Sequence, residues 1–249
     1  MIKKMFRVFA FIFLVSMWGN AEIIKADYDV SYGIFGKIGV SKAVLKKEKK
    51  RYSIDIRLYA TGLAKILSGD RRERHISKGH IDKDGLMISD LYQVIKSHGK
   101  TTVNKTYRVD HKNKKVAKVY KKYKNNKLVK TEHSTLDFYA KDDLLTLYFN
   151  LGSAVKDKTK PAKYVFKAVG AERQQGKVTL IIPVFYKLKD YKETLGKGAS
   201  WYATAIIHQK IFSSKEGRLM LAVGEDGITN KAVLKDVIFF GDIVAKRVK

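Results

Sequence analysis

The 249-residue chain has no cysteine and only two prolines. The absence of cysteine excludes disulfides, Cys-ligated zinc, iron–sulfur clusters and thiol catalysis together. Acidic residues are scarce, with 24 Asp and Glu against 51 Lys and Arg, for a formal charge of +27. No apolar run is long enough to cross a bilayer. The longest, Val8 to Trp18, is broken by Ser16 and is too short for a hydrocarbon core of about 30 Å. Fixed-period repeats and Pro- or Ser/Gly-rich linkers are missing as well. Composition also excludes collagen, coiled coil and a multi-span membrane protein. What is present is 45% hydrophobic and 11% aromatic residues, enough for a sizeable core and contrary to global disorder.

The N-terminus reads as an address. Lys3, Lys4 and Arg7 precede the apolar run, and Gly19-Asn20-Ala21 supplies small residues at the first and third places. This is the layout of a cleavable secretory signal peptide over residues 1–21. It leaves residues 22–249 as one β-rich domain, exported and expected in the periplasm. Without a cysteine at the cleavage point, a lipoprotein anchor is not expected. Residues 1–21 carry three bases and no acid, so 48 bases remain against 24 acids.

Apolar alternation at period two dominates the rest. Tyr28, Val30, Tyr32 and Ile34 form one such set, running into Gly36 and Gly39; Tyr52, Ile54, Ile56 and Leu58 form another. Gly62 to Leu67 reads as a helical turn, and Asp84-Gly85 as a tight turn. Residues 103–134 read as a three-stranded meander with turns at His111–Lys115 and Asn125-Asn126. A helix is expected over 142–151, capped by Asp142, with Leu144, Leu145, Leu147, Tyr148 and Leu151 as its apolar face and Gly152 as its stop. Strands follow at 164–168, 178–182, 201–211, 219–223 and 237–244. Ten or more strands with one helix lead to a mainly β fold class: a strongly curved antiparallel sheet or open β-barrel covered by the helix.

The order of motifs resembles the bacterial "domain of unknown function 3108" family of exported envelope proteins. Tyr28-Asp29-Val30-Ser31-Tyr32-Gly33-Ile34 is similar to its opening strand, and Asp142-Asp143-Leu144-Leu145-Thr146-Leu147-Tyr148-Phe149 to its acidic–Leu–hydroxyl–Tyr helix start. Val237 to Ala245 is similar to its last strand. The resemblance runs over about residues 25–247. The sequence departs from the family in its Lys-rich stretch 100–131, and in Asp90-Leu91 where a proline often precedes the aromatic. The resemblance implies export in a Gram-negative bacterium and supplies no activity, cofactor or catalytic residue.

A direct search for chemistry finds little. His75, His80, His98, His111, His133 and His208 form no His-Glu-x-x-His pair, and a five-residue spacing puts His75 and His80 on opposite faces of a strand. They read as ordinary surface or turn histidines, so no metal is expected. Asp82-Lys83-Asp84-Gly85 lacks the later ligands of a calcium loop. No Gly-x-Ser-x-Gly elbow or phosphate loop is present. Asp142-Asp143 reads as helix-start acids complementing the helix dipole. No catalytic or cofactor-binding residue is expected.

The remaining feature is charge. Residues 100–131 hold twelve bases and one acid, Asp110, interleaved with Tyr107, Tyr120 and Tyr123. For an exported protein the available polyanions are anionic lipid or lipopolysaccharide rather than nucleic acid. The candidate contacts are Lys105, Arg108, Lys114, Lys115, Lys118, Lys121, Lys122, Lys124 and Lys127. Edge protection of exposed strands is the plain alternative. The expectation is a non-enzymatic envelope protein that binds or scaffolds, facing an anionic surface or another envelope protein. A carrier of a hydrophobic ligand and an enzyme built from sequence-distant residues are the alternatives.

Overall fold

The computed structural model describes residues 21–207, 217–237 and 241–249. The leader, apart from Ala21, lies outside the described residues, as do His208 and the rest of the expected strand 201–211 beyond 207.

The first run of strands is β1 (Glu22–Tyr32), β2 (Lys37–Glu48), β3 (Arg51–Ala60), β4 (Arg72–Ile81), β5 (Met87–His98), β6 (Thr101–Asp110), β7 (Lys115–Lys124) and β8 (Lys127–Thr135). The two-residue β9 (Asp142–Asp143) leads into the central helix α2 (Leu144–Ala154); an earlier short helix, α1 (Gly62–Leu67), lies between β3 and β4. Then come β10 (Ala162–Val169), β11 (Lys177–Ile182), helix α3 (Leu188–Leu195), β12 (Trp201–Ile207), β13 (Arg218–Val223), β14 (Thr229–Val237) and β15 (Gly241–Arg247).

All fifteen strands belong to one sheet, in the order β8-β7-β6-β5-β4-β3-β2-β1-β15-β14-β13-β12-β11-β10-β9. The two ends of the chain meet in the middle, where β1 pairs with both β2 and β15. The order is linear, and β8 and β9 each pair with one neighbour, so the expected strongly curved sheet or open barrel is corrected to an unclosed sheet. Closure is not needed to hide the β8 edge. All nine residues of that strand are exposed, and most are polar or charged, which lets its free backbone groups face water. The sheet is not wholly antiparallel either, because β9 runs parallel to β10.

The helical turn read at Gly62–Leu67 is α1, and the one longer helix expected is joined by a second, α3, among the described residues. The central one starts two residues later than expected, because Asp143 rather than Asp142 is its N-cap. Gly152 does not stop it; the helix continues to Ala154. Of the expected strand over 237–244, residue 237 ends β14, 241–244 belong to β15 and 238–240 lie outside the described residues; Val237 pairs with Gly241, which takes φ +99°. The turn residues behave as read: Asn125 and Asn126 take φ 51° and 61°, and Gly85 takes φ 80°.

The core is organised around α2. Leu147 and Leu151 pack with Leu180, Trp201 and Leu221 of β11–β13. Leu145 and Phe149 pack with Leu45, Tyr52, Ile54 and Met87 of β2, β3 and β5. One helix is therefore the shared wall of two apolar clusters, and its N-terminus lies at their junction.

Candidate functional site

Asp143 is fully buried at that junction. One carboxylate oxygen accepts from the Leu145 and Thr146 amides, at 2.8 and 3.0 Å. The other accepts from Ser77 Oγ at 2.5 Å, Ser89 Oγ at 2.6 Å and Thr146 Oγ1 at 3.1 Å. Tyr52 extends the network, its hydroxyl 2.7 Å from Thr146 Oγ1 and 3.1 Å from Ser77 Oγ. Burial pushes the Asp143 carboxyl up, against the pull of these donors. Through these bonds the cluster pins α2 to β3, β4 and β5.

Asp142 is buried beside it. Asn150 Nδ2 donates to it at 3.3 Å and to the Met87 carbonyl at 2.8 Å, while the Met87 amide donates back to Asn150 Oδ1 at 3.2 Å. Burial raises the Asp142 carboxyl to about 6; Lys141 and Asn150 pull it down, and Asp143 and Asp82 push it further up.

A cleft of about 400 Å³ opens nearby, lined by Glu73, His75, Tyr92, Tyr107, Leu144 and Glu172 among others. Two polar chains run along it. In the first, His75 lies between the Tyr92 hydroxyl (Nδ1, 3.0 Å) and Glu73 (Nε2, 3.3 Å). Burial works to raise the Glu73 carboxyl, but His75, Lys96 at 2.9 Å and Arg71 at 2.6 Å outweigh it and hold it well below the usual range. Tyr92 is itself buried, which pushes its hydroxyl upward, and its hydrogen bond helps to hold His75 in place. In the second, the Tyr107 hydroxyl, Lys118 (2.6 Å) and Lys105 (3.5 Å) converge on Glu172. They outweigh its burial and keep it ionised. Tyr107→Phe is expected to cost about 1 kcal/mol in urea unfolding, since Glu172 keeps both lysines and only one hydrogen bond is lost.

The nine bases expected to form one surface are divided. Lys105 and Lys118 are committed to Glu172, with Lys118 also 5.8 Å from the centre of the Tyr107 ring. Strand register sets Lys122 and Lys124 on the same face as Val116, and Arg108, Lys115 and Lys121 on the other. Lys114 sits in the β6–β7 turn at φ 51°, and Lys127 opens β8 opposite Lys124. Both faces are solvated at this end, so the charges flank one edge rather than paving one side. Lys121, Lys122, Lys124 and Lys127 have no ion-pair partner among the described residues.

The histidines separate as the spacing predicts. His75 shares the interior face of β4 with Glu73, Ser77 and Gly79, and His80 lies on the other face. Three residues that sequence spacing could not join, His80, Asp90 and His111, do come together, with one ligand atom from each within 4.8 Å of the others. The cleft residues Glu73 and Glu172 and the buried Ser77, Ser89 and Asn150 were also missed. A readable signal existed for the first group: Glu73, His75 and Ser77 alternate as polar residues on what must be an inward strand face.

The family model described as "Protein of unknown function (DUF3108)" matches residues 27–177. The chain belongs to the DUF3108 family. In this DUF3108 protein the match includes the opening strand and the Asp142–Phe149 helix start, and it ends before the Val237–Ala245 motif. The matched stretch holds the Asp143 network, the cleft and the basic strands. No curated protein matches the chain. Among solved structures it is similar to a beta-barrel-like protein of domain of unknown function DUF1849 from Brucella abortus, at 14% identity and TM-score 0.49, over 90% of this chain and 95% of that one.

Proposed function

We propose that this protein is an exported, non-enzymatic envelope component that docks on an anionic surface, lipid or lipopolysaccharide, through the β6–β8 wing. The observation that carries the reading is β8. The strand is exposed along its whole length, and its own Lys127 and the Lys121, Lys122 and Lys124 of neighbouring β7 have no ion-pair partner among the described residues. Residues 115–135 hold seven lysines and one acid, Glu132, which pairs with Lys130. The leader-like residues 1–21 support export. The carrier reading draws less support, because the cleft is lined by Glu73, Lys96, Lys105, Glu172 and Arg173 as well as apolar groups.

Co-sedimentation with neutral phosphatidylcholine vesicles and with vesicles containing anionic phosphatidylglycerol, across a salt series, tests it. Binding is expected only to the anionic vesicles, weakening as salt shortens the Debye length. Each lysine near such a surface contributes about 1 kcal/mol. Lys122→Ala combined with Lys124→Ala is therefore expected to weaken binding roughly 30-fold at low salt. Equal, salt-insensitive binding to both vesicle types overturns the reading.

A further inference from the structure

Asp90 is the extra residue of a β-bulge. Lys78 of β4 pairs with Leu91 and Gly79 pairs with Ser89, so no β4 residue stands opposite it. The bulge depends on Gly79, where a Cβ would lie 1.9 Å from the Ile88 carbonyl oxygen. Bulges re-aim side chains, and they recur beside functional sites. Here Asp90 is brought to two imidazoles that come from different segments. Its Oδ1 is 2.9 Å from His80 Nδ1 at the end of β4 and 3.2 Å from His111 Nε2 in the β6–β7 turn.

We propose that His80, Asp90 and His111 form a surface site for a divalent transition metal of the zinc type. Two ligands each about 2.0–2.1 Å from a zinc ion stand roughly 3.0–3.4 Å apart. The carboxylate therefore already lies about one ligand edge from each ring. Two neutral imidazoles and a carboxylate suit zinc and are a poor set for magnesium or calcium, which prefer oxygen. His111 has the outer partner that metal-binding histidines use. Its Nε2 lies 3.0 Å from the Ser89 carbonyl oxygen and 3.2 Å from Asp90 Oδ1, both acceptors, so the ring proton sits on Nε2 and Nδ1 accepts from the Tyr139 hydroxyl at 2.9 Å. Metal binding moves that proton to Nδ1, where the Tyr139 oxygen accepts it, and frees the Nε2 lone pair for the ion. All three ligand side chains are partly exposed, so the ion enters directly from solvent. Bound there, it ties the base of the β6–β8 wing to the β4–β5 pair.

The test is calorimetric titration of the tag-free chain with zinc chloride near pH 7.4, with magnesium chloride as the contrasting ion. One equivalent of zinc is expected to bind. His80→Ala or His111→Gln is expected to weaken it by tenfold or more, Asp90→Asn to a similar extent, and His133→Ala not at all. Circular dichroism and urea midpoints verify that each variant is folded, and the two histidine variants sit on separate segments, so loss of one to misfolding leaves the other decisive. Failure to bind one equivalent, or His80 and His111 variants that bind as the parent does, overturns the site. Magnesium binding as tightly as zinc overturns the assignment of the ion.

Discussion

Asp143→Ala is expected to destabilise the protein by about 3 kcal/mol, which for a chain of this size lowers the thermal midpoint by roughly 6–12 °C. Two separate losses make up the figure. The α2 N-cap disappears, at about 1 kcal/mol, because the Leu145 and Thr146 amides lose their acceptor. The second loss is a charged acceptor inside a buried hydroxyl cluster. Ser77, Thr146 and Tyr52 can still bond to one another, at 2.7–3.1 Å, once the carboxylate is gone, and Ser89 keeps the Tyr52 hydroxyl. Ser77 and Ser89 nevertheless lose their short bonds to the carboxylate, at a cost of about 1–3 kcal/mol. Asp143→Asn keeps a capping oxygen and a similar volume, and is expected to cost about half as much. Urea unfolding of the two variants measures both. An alanine variant within 0.5 kcal/mol of the parent would show that the network does not hold α2 to the strands.

The neighbouring acid is expected to act in the opposite direction. Asp142→Asn should stabilise the protein at pH 8 by about 2–3 kcal/mol and leave it unchanged near pH 4. The native-state pKa of Asp142, about 6, is above the unfolded value near 4, so the folded protein holds this proton more tightly. The stability this gives is complete below the unfolded value, declines as pH rises through 6, and is gone above it. Above pH 6 the native state therefore carries a charge that burial opposes. Asparagine removes the titration and keeps an oxygen to accept from Asn150 Nδ2. The carboxyls of Glu73 and Glu172 are held below the usual range and give the opposite slope at lower pH, equally in parent and variant. The difference between the two urea-midpoint curves thus reports Asp142 together with its coupling to Asp143. Parallel curves from pH 4 to 8 would remove the claim.

Why some elements were legible and others not follows from which groups face inward. The meander of β6–β8 could be read because Val103, Tyr107, Val109 and Val116 alternate cleanly and the turns carry Asn and charged residues. The α2 segment could be read from its leucines, although cap and stop were each misplaced by a residue or more. Strand β4 escaped because its inward face is Glu73, His75, Ser77 and Gly79, and no apolar period marks it. Those side chains are tolerated inside only because Tyr92, Asp143 and Lys96 reach them from other segments. Helix α3 escaped because lysines and acids dominate it, yet Leu188, Tyr191 and Leu195 keep helical spacing and Gly196 follows with φ +93°.

The sequence by itself determined a β-rich, cysteine-free, strongly basic chain, its turns, its central helix and its DUF3108 character, because composition and short-range periodicity are local properties. Tertiary structure alone decided that the sheet stays unclosed, that two of the suspected docking lysines are spent on Glu172, and that a bulge gathers His80, Asp90 and His111. Each of those outcomes depends on strand register and on pairings between residues distant in the chain. No local pattern encodes them.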